Sequence, residues 1–437
     1  MNFPAIVKSK LLADISEMAK SPDEFVVRPG KDFSRNRKID LKTLLSIIIS
    51  MGKGTLPEEL AKYFYRYGNI PYVSAFVQQR DKLKPEALLY LMRKFNAHFP
   101  LCSYKSKYRL IACDGSSFRI FRNPNDKDSF IDKQSKTADG FNELHSIALF
   151  DICSNRYLDA IFQPIRQMNE HRGFCNLIDR YTDDKKIIFL ADRGFASYNV
   201  FAHAIENNAY FVIRCTDRNT SRMLKTEVLP NSMDLETDLI LVRHQAKSKW
   251  KQQDRKQDYR YIYKAVDFDY IPIDSPREYS LKLRIVRFKI SDDTYENIVT
   301  NLPSDEWSPE TIKEIYHKRW DIETSFRDLK RTLGAIYLHS KKIPAITMEI
   351  LARMILYNFS SIILQHISII ERQKKKHEHK INFSFGLKLC HEFFKQPGTD
   401  PPMDLNGLIG SRTLPIRPGR TYARHHRSQY SADFMYR

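Results

Sequence analysis

The sequence predicts a mixed α/β protein in three parts: a helical N-terminal region, a core in which short strands alternate with helices, and a β-rich insertion ahead of one long helix. Three observations carry that reading. Residues 1–105 hold apolar runs of helical length behind good capping residues. From Ser106 the apolar runs shorten and end in turn residues. Residues from about 216 to 300 alternate β-like runs with charged stretches, and Ser308-Pro309 then opens a long helical pattern.

The elements follow in order. Leu41–Ser50 is an apolar run behind Asp40, whose carboxylate suits an N-cap. Leu56–Tyr67 reads as a second helix, Gly68–Pro71 as a turn, and Ser74 as the start of a polar, basic helix, SAFVQQRDKL. Pro85 opens another helix through Phe95. Short helices around a tight turn fit a helix-turn-helix, with Ser74, Gln78, Gln79 and Arg80 facing DNA bases, and they fit an ordinary helical bundle equally well. Tyr108–Cys113 is a short strand ending at Asp114-Gly115. His145–Asp151 and Tyr157–Pro164 flank a polar turn as in a hairpin. His171–Tyr181 reads as a helix, and the unbroken apolar run Lys185–Asp192 as a buried central strand. A helix over Phe195–Asn207 and a strand over Tyr210–Cys215 follow. Asp238–Arg243, Tyr259–Val266 and Leu281–Ile290 supply the strands of the insertion, and Asn297–Leu302 returns to the apolar strand pattern. Ser308-Pro309 caps a helix reaching about Leu333. The expected boundaries are 1–105 (helical), 106–216 (first part of the core), 217–296 (β-rich insertion), 297–370 (second part of the core) and 371–437 (basic C-terminal region).

Composition narrows the class. A chain of 437 residues has room for several domains of ~100–200 residues. With 42% hydrophobic and 28% charged residues it builds a packed core, which excludes a disordered chain. The net charge of +19 concerns partners more than fold. It points to a polyanion, most commonly nucleic acid, although a basic membrane-surface protein or a ribosome-associated factor carries a similar surplus. Cys102, Cys113, Cys153, Cys175, Cys215 and Cys390 form no CxxC pair, and several sit in apolar runs. They read as free thiols of a reducing compartment, not as a disulfide framework or zinc site. The first twenty residues lack a signal-peptide core. The apolar stretch Ile350–Ile370 carries Arg353, Asn358, Gln365 and His366, which suit a core helix better than a membrane span. These features predict a cytoplasmic protein with no membrane partner.

Three carboxylates stand out. Asp114 and Asp192 each follow an apolar strand and precede a turn sequence, DGSS and DRGF. Strand ends of an α/β sheet are where reactive groups converge, and carboxylates there hold hard divalent cations. A lone aspartate at such a place is commonly a turn or cap residue; two in matched contexts weaken that account. In the long helix, Tyr316, Arg319, Glu323 and Lys330 have offsets of 0, 3, 7 and 14. At ~100° per residue they share one face. That face offers one carboxylate for a metal and three groups suited to phosphate oxygens, while Ile312, Ile315, Ile322, Phe326 and Leu329 supply buried surface. The competing account is a solvated face with an i,i+4 pair of Arg319 and Glu323.

These residues resemble the motifs of the DDE-type insertion-sequence transposases, whose third motif is Tyr-(2)-Arg-(3)-Glu-(6)-Lys. Tyr316, Arg319, Glu323 and Lys330 have every gap of that motif, within RWDIE (Arg319–Glu323). ADRGFAS (Ala191–Ser197) resembles the second motif and ACDGSSF (Ala112–Phe118) the first. The resemblance runs from about residue 40 to 365. It implies an RNase H-like catalytic core interrupted by the β-insertion, behind a helical DNA-binding domain. It also implies that Asp114, Asp192 and Glu323 are catalytic and hold two Mg²⁺ ions, with Mn²⁺ as a substitute. Tyr316, Arg319 and Lys330 would grip DNA phosphate, with Arg193 a weaker candidate. An aromatic of the insertion would hold a flipped base: Trp250, or one of Tyr259, Tyr261 and Tyr263. The partners implied are double-stranded DNA, at inverted-repeat ends and at the target, and a second copy of the chain in a synaptic dimer at a prokaryotic nucleoid. The expected reaction is hydrolysis at the element's ends, hairpin formation and joining of 3′-OH ends. Two alternatives remain at this point: a metal nuclease without joining activity, and an inactive relative acting as a DNA-binding repressor.

Overall fold

The computed structural model describes residues 2–35, 37–65, 68–132, 139–244, 258–291, 294–370, 377–398, 404–417 and 435–436. Five helices come first: α1 (Phe3–Lys20), α2 (Leu41–Ser50), α3 (Leu56–Phe64), α4 (Val73–Arg80) and α5 (Glu86–Ala97). Asp40 caps α2 as expected, its carboxylate accepting the Thr43 N–H at 2.7 Å.

Helix α4 differs from its expectation. It starts at Val73 behind Tyr72, and Ser74 makes no capping bond. Phe76 is its inward anchor, and residues three and four positions later share that side. Gln79 and Arg80 are accordingly 7% and 3% exposed, while Ser74 and Gln78 remain on the surface. Arg80 reaches Glu349 at 3.3 Å and Ser340 Oγ at 3.2 Å. The expected base-contacting set is therefore split, and Gln79 and Arg80 are withdrawn from it by packing.

The core strands are β1 (Tyr108–Ile120), β2 (Phe130–Ile131), β3 (Phe141–Asp151) and β4 (Arg156–Pro164), followed by α6 (Glu170–Arg180), β5 (Lys186–Ala191), α7 (Tyr198–Glu206) and β6 (Tyr210–Cys215). β4 pairs β3 and β3 pairs β1, both antiparallel; β1 pairs β5 and β5 pairs β6, both parallel. The order β4-β3-β1-β5-β6 with these directions is that of an RNase H-like sheet. Helix α8 (Asp217–Leu224) opens the insertion, and β7 (Met233–Val242), β8 (Tyr259–Tyr261) and β9 (Glu278–Ser291) continue it. β10 (Thr294–Thr300) pairs β6 on one side and β9 on the other, so the insertion extends the core sheet to ten strands. Trp250 lies outside the described residues. Of its competitors, Tyr263 is 69% exposed, and Tyr259 and Tyr261 are half-buried.

Helices α9 (Pro309–His317) and α10 (Trp320–Arg327) follow, with Ser308 capping α9 through the Thr311 N–H at 3.3 Å. The single helix expected here is thus broken at Lys318-Arg319, and it ends in a turn of π-helix over Asp328–Thr332. After β11 (Tyr337–Leu338), α11 (Ile343–Leu364) is long and apolar enough to cross a membrane by length and composition. Here every residue from Ala345 to Leu364 is buried within the protein. Beyond it come β12 (His379–Ile381), α12 (Phe383–Lys395), α13 (Leu405–Gly410) and β13 (Thr413–Pro415). The region expected to be merely basic therefore adds α12 to the core: Leu387, Cys390, Phe393 and Phe394 are buried, and α12 packs on α11.

Alternation along the strands makes a three-layer structure. Ile111 and Cys113 of β1 pack with Phe174, Leu177 and Ile178 of α6 and Val200 and Phe201 of α7. Leu110 and Ala112 face the opposite layer, which includes Ile322 and Phe326 of α10 and most of α11. β4 is covered by α11, whose Asn358 bonds the Tyr157 N–H and C=O at 2.8 and 2.7 Å and so satisfies strand backbone that, among the described residues, has no further strand beside it.

Candidate active site

The β1–β5 register sets the first two carboxylates. The parallel ladder ends with Cys113 opposite Ala191, so Asp114 and Asp192 are the next residues on adjacent strands running the same way. Asp192 behaves as expected for a strand end. It caps a short 3₁₀ turn, its side chain accepting the Arg193 N–H, and Arg193 is exposed. Asp114 differs, because no turn follows it: β1 runs on to Ile120, paired with β3 throughout. Its site is the point where β1 loses β5 while keeping β3. By alternation Asp114 shares the face of Leu110 and Ala112, on which α10 packs.

Helix α10 brings the third carboxylate. Arg319, 3% exposed, donates to Glu323 Oε1 at 2.8 Å and holds Nη1 3.8 Å from Asp114 Oδ2. The i,i+4 pair is therefore real; its Arg319 end is buried while the Glu323 side chain is 37% exposed, and the guanidinium stands between two of the three carboxylates. Arg319 Nε and Nη1 are buried without a hydrogen-bond acceptor. Tyr316 is buried one turn earlier, with the Arg319 guanidinium 5.7 Å from its ring. Lys330 donates to Ser117 O of β1 at 2.7 Å. A cleft of about 350 Å³ opens over Asp114 and Glu323 and is lined also by Arg327, Lys330 and Arg331; Asp192 does not line it. Among the described residues, no three carboxylate, imidazole or thiol groups stand close enough together to hold a metal ion. Asp114, Asp192 and Glu323 fit a hard divalent cation in donor type, and Glu323 is engaged by Arg319.

A further acidic group, not singled out from the sequence, lies on the α6 face of the sheet beside Gly115 and Gly194. Glu170 opens α6, behind Asn169, whose side chain caps the helix through the Arg172 N–H at 2.9 Å. Gly173 lets α6 lie close on β3, since a Cβ there would stand 2.3 Å from Ile147 Cδ1. Glu170 Oε1 then occupies the space beside Gly115, where a Cβ would lie 2.4 Å from it, and Oε2 faces Gly194. His145 Nε2 is 3.0 Å from Glu170 Oε1, and its Nδ1 shares a 3.0 Å hydrogen bond with Ser117 Oγ. The signal in the sequence was a glycine close behind each aspartate, which reads as turn chemistry until the helix is placed.

Burial dominates the electrostatics. The Asp114 carboxyl is pushed from 3.8 to about 7, chiefly by burial and then by the charges of Glu323 and Asp192, against the pull of Arg319 and the Gly115 N–H. Burial likewise raises the Tyr316 phenol to about 12. A carboxyl with a raised pKa binds its proton more tightly folded than unfolded, so its contribution to stability is lost as pH climbs from about 4 to about 7. In chelator, Asp114→Asn is expected to stabilise the protein at pH 8 by on the order of 1–2 kcal/mol and to be nearly neutral at pH 5. Urea denaturation of both proteins at the two pH values checks this; an equal difference at both would show that Asp114 carries no such penalty.

A family model described as a transposase DDE domain matches residues 105–359, more than half of the chain and the whole of the region that carries the four acidic groups. No curated protein matches the chain. Among solved structures, a piggyBac transposase synaptic complex with hairpin DNA is similar over 96% of this chain and 87% of that one, at 11% identity and a TM-score of 0.43.

Proposed function

Since the chain belongs to the transposase DDE-domain family, we propose that it binds the inverted-repeat ends of a mobile element, hydrolyses the DNA there and joins the freed 3′-OH ends to a target. The observation that carries this is the β1–β5 register, which aligns Asp114 with Asp192, together with the Arg319 bridge that ties Glu323 to Asp114. Bound divalent ions, Mg²⁺ or Mn²⁺, would activate the attacking oxygen and stabilise the leaving one. Asp114, Asp192 and Glu323 are the residues that would hold them, and Glu323 would have to leave its Arg319 partner to do so. Release of Glu323 would free the Arg319 Nη2 donor for a charge-assisted contact with DNA phosphate. Tyr316 shapes this pocket from beneath. Lys330 at the cleft and the exposed Arg193 next to Asp192 add positive charge.

The net charge of +19 supports salt-sensitive binding along the DNA backbone. Residues 1–105 read the end sequence, with Ser74 and Gln78 on the exposed side of α4. Two copies of the chain pair two ends before cutting, at the prokaryotic nucleoid in the cytoplasm, and the cut passes through a hairpin on the element's end.

The test uses a labelled end duplex and a pre-cut end in Mg²⁺ with target plasmid. Nicking of the first and joining of the second support the reading; nicking without joining would reduce it to a nuclease, and neither would refute it. Lys330→Ala is expected to slow double-strand breakage and joining roughly ten- to a hundredfold, the worth of one charge-assisted contact, and to slow the first nick less. A time course resolving the three products checks this, and wild-type yields of all three would remove Lys330 from the DNA contact.

A further inference from the structure

We propose that the cleft continues outward as a track for the backbone of duplex DNA, running from Arg327 and Arg331 across Lys53 and Lys388, over the joint between the N-terminal helices and the catalytic core. The inference rests on the proposed DNA-processing reading and names the surface that holds one arm of the duplex. Three observations carry it. First, the track starts in the cleft. The helix that bears Glu323 ends in the π-helical turn Asp328–Thr332, and Arg327, Lys330 and Arg331 line the cleft over Asp114 and Glu323. Arg327 and Arg331 are exposed, and among the described residues no carboxylate pairs with either. Second, the exposed Lys53, in the loop between α2 and α3, is set against that turn. Its ammonium donates to Arg331 O at 2.7 Å, and its stem packs on Gly334, where a Cβ would stand 3.0 Å from Lys53 Cγ. The loop is braced from beneath. The buried Glu59 carboxylate accepts the Gly52 and Gly54 N–H groups at 2.8 Å each, and the His339 ring shares a 2.9 Å hydrogen bond with Gly54 O. Third, Lys388 extends the row. Ser384 Oγ donates to Asp328 Oδ1 at 2.8 Å and so docks α12 on the same turn. Lys388, one helical turn later, lies on that side, is exposed, and pairs with no carboxylate among the described residues. Burial and then the Lys388 charge hold the Lys53 ammonium below its usual range. Capping of the helix end accounts for Lys53. It does not account for the three unpaired cations of the same row, whose mutual repulsion a polyanion would relieve.

Duplex DNA carries one charge per about 1.7 Å of its axis, and each phosphate that a cation neutralises releases counterions. The logarithm of the binding constant therefore falls with the logarithm of salt concentration by about 0.9 per contact. The experiment is a fluorescence-anisotropy titration of the full chain with a labelled end duplex over a range of KCl concentrations, with urea midpoints to confirm folding. Lys53→Ala and Lys388→Ala are each expected to make that slope shallower by about 0.9, and Lys53→Arg to keep it. Trimming the duplex from one end should erase the difference between wild type and both alanine variants, and trimming it from the other should preserve it, because one arm lies on the track. An unchanged slope in both alanine variants overturns the proposal. If the urea midpoint of Lys53→Ala falls as well, Lys53 is a cap of the π-helical turn and nothing more. If self-association of the chain weakens in sedimentation while the slope stays, the face belongs to a second copy, which overturns the proposal equally. A wild-type chain with no salt-dependent affinity for the end duplex overturns the DNA-processing reading and this inference together.

Discussion

Asp114→Asn and Glu323→Gln are each expected to reduce the proposed nicking of end DNA by about a thousandfold or more while end binding persists. The size follows from what each residue does. A Lewis-acid contact with the reacting phosphate is worth several kcal/mol, and each 1.36 kcal/mol is tenfold in rate. Both substitutions keep side-chain volume, so neither opens a cavity in the layer where Ile322 and Phe326 are packed. Asp114→Asn also relieves a buried charge, so its loss of rate arrives with unchanged or improved stability. Lost activity together with lost folding would instead mark Asp114 as a structural residue. Gel-shift binding and nicking rates on the same preparations make the distinction; a variant that nicks within a few-fold of wild type is inconsistent with the assignment.

Arg80→Ala is expected to destabilise the protein by about 3–5 kcal/mol, the cost of breaking a buried charge pair. Arg80 and Glu349 have side chains only 4% and 2% exposed, and Glu349 also accepts the His339 N–H at 2.8 Å. Removing Arg80 leaves that buried carboxylate with only its His339 contacts, the backbone N–H and the ring Nδ1 at 3.1 Å. A DNA-contacting arginine would behave oppositely, with weaker end binding and little change in the urea midpoint. Measuring both quantities on Arg80→Ala, beside the exposed Gln78→Ala as a comparison, separates the two roles. An unmoved midpoint for Arg80→Ala would contradict the packing described here.

Much of the architecture was legible because the core strands are regular. The unbroken apolar run before Asp192 is β5, buried on both faces, and the polar turn between β3 and β4 is a hairpin. Asp40, Ser308 and Asn297 sit where their caps and strand predict. The extension of β1 was not legible: Gly115, Ser116 and Ser117 carry no strand signal, and their pairing with His145–Ile147 of β3 is a long-range fact. The break at Lys318-Arg319 was hidden because both flanking segments keep the same helical period. Helix α4 shows the limit of composition, since a polar, basic stretch turned two of its polar side chains inward once Phe76 chose a direction. The alignment of Asp114 with Asp192 could be read from matched strand ends. Glu170 could not, because its place depends on how closely Gly173 lets α6 approach β3.

Direct binding of a catalytic divalent ion by Asp192 is tested by replacing its oxygen with sulfur. A thiolate is a poor ligand for Mg²⁺ and a better one for the softer Mn²⁺. Asp192→Cys is expected to show no nicking of end DNA in Mg²⁺ and to regain a measurable part of it in Mn²⁺, with wild type active in both. Nicking by Asp192→Cys in Mg²⁺ at the wild-type rate would contradict the account.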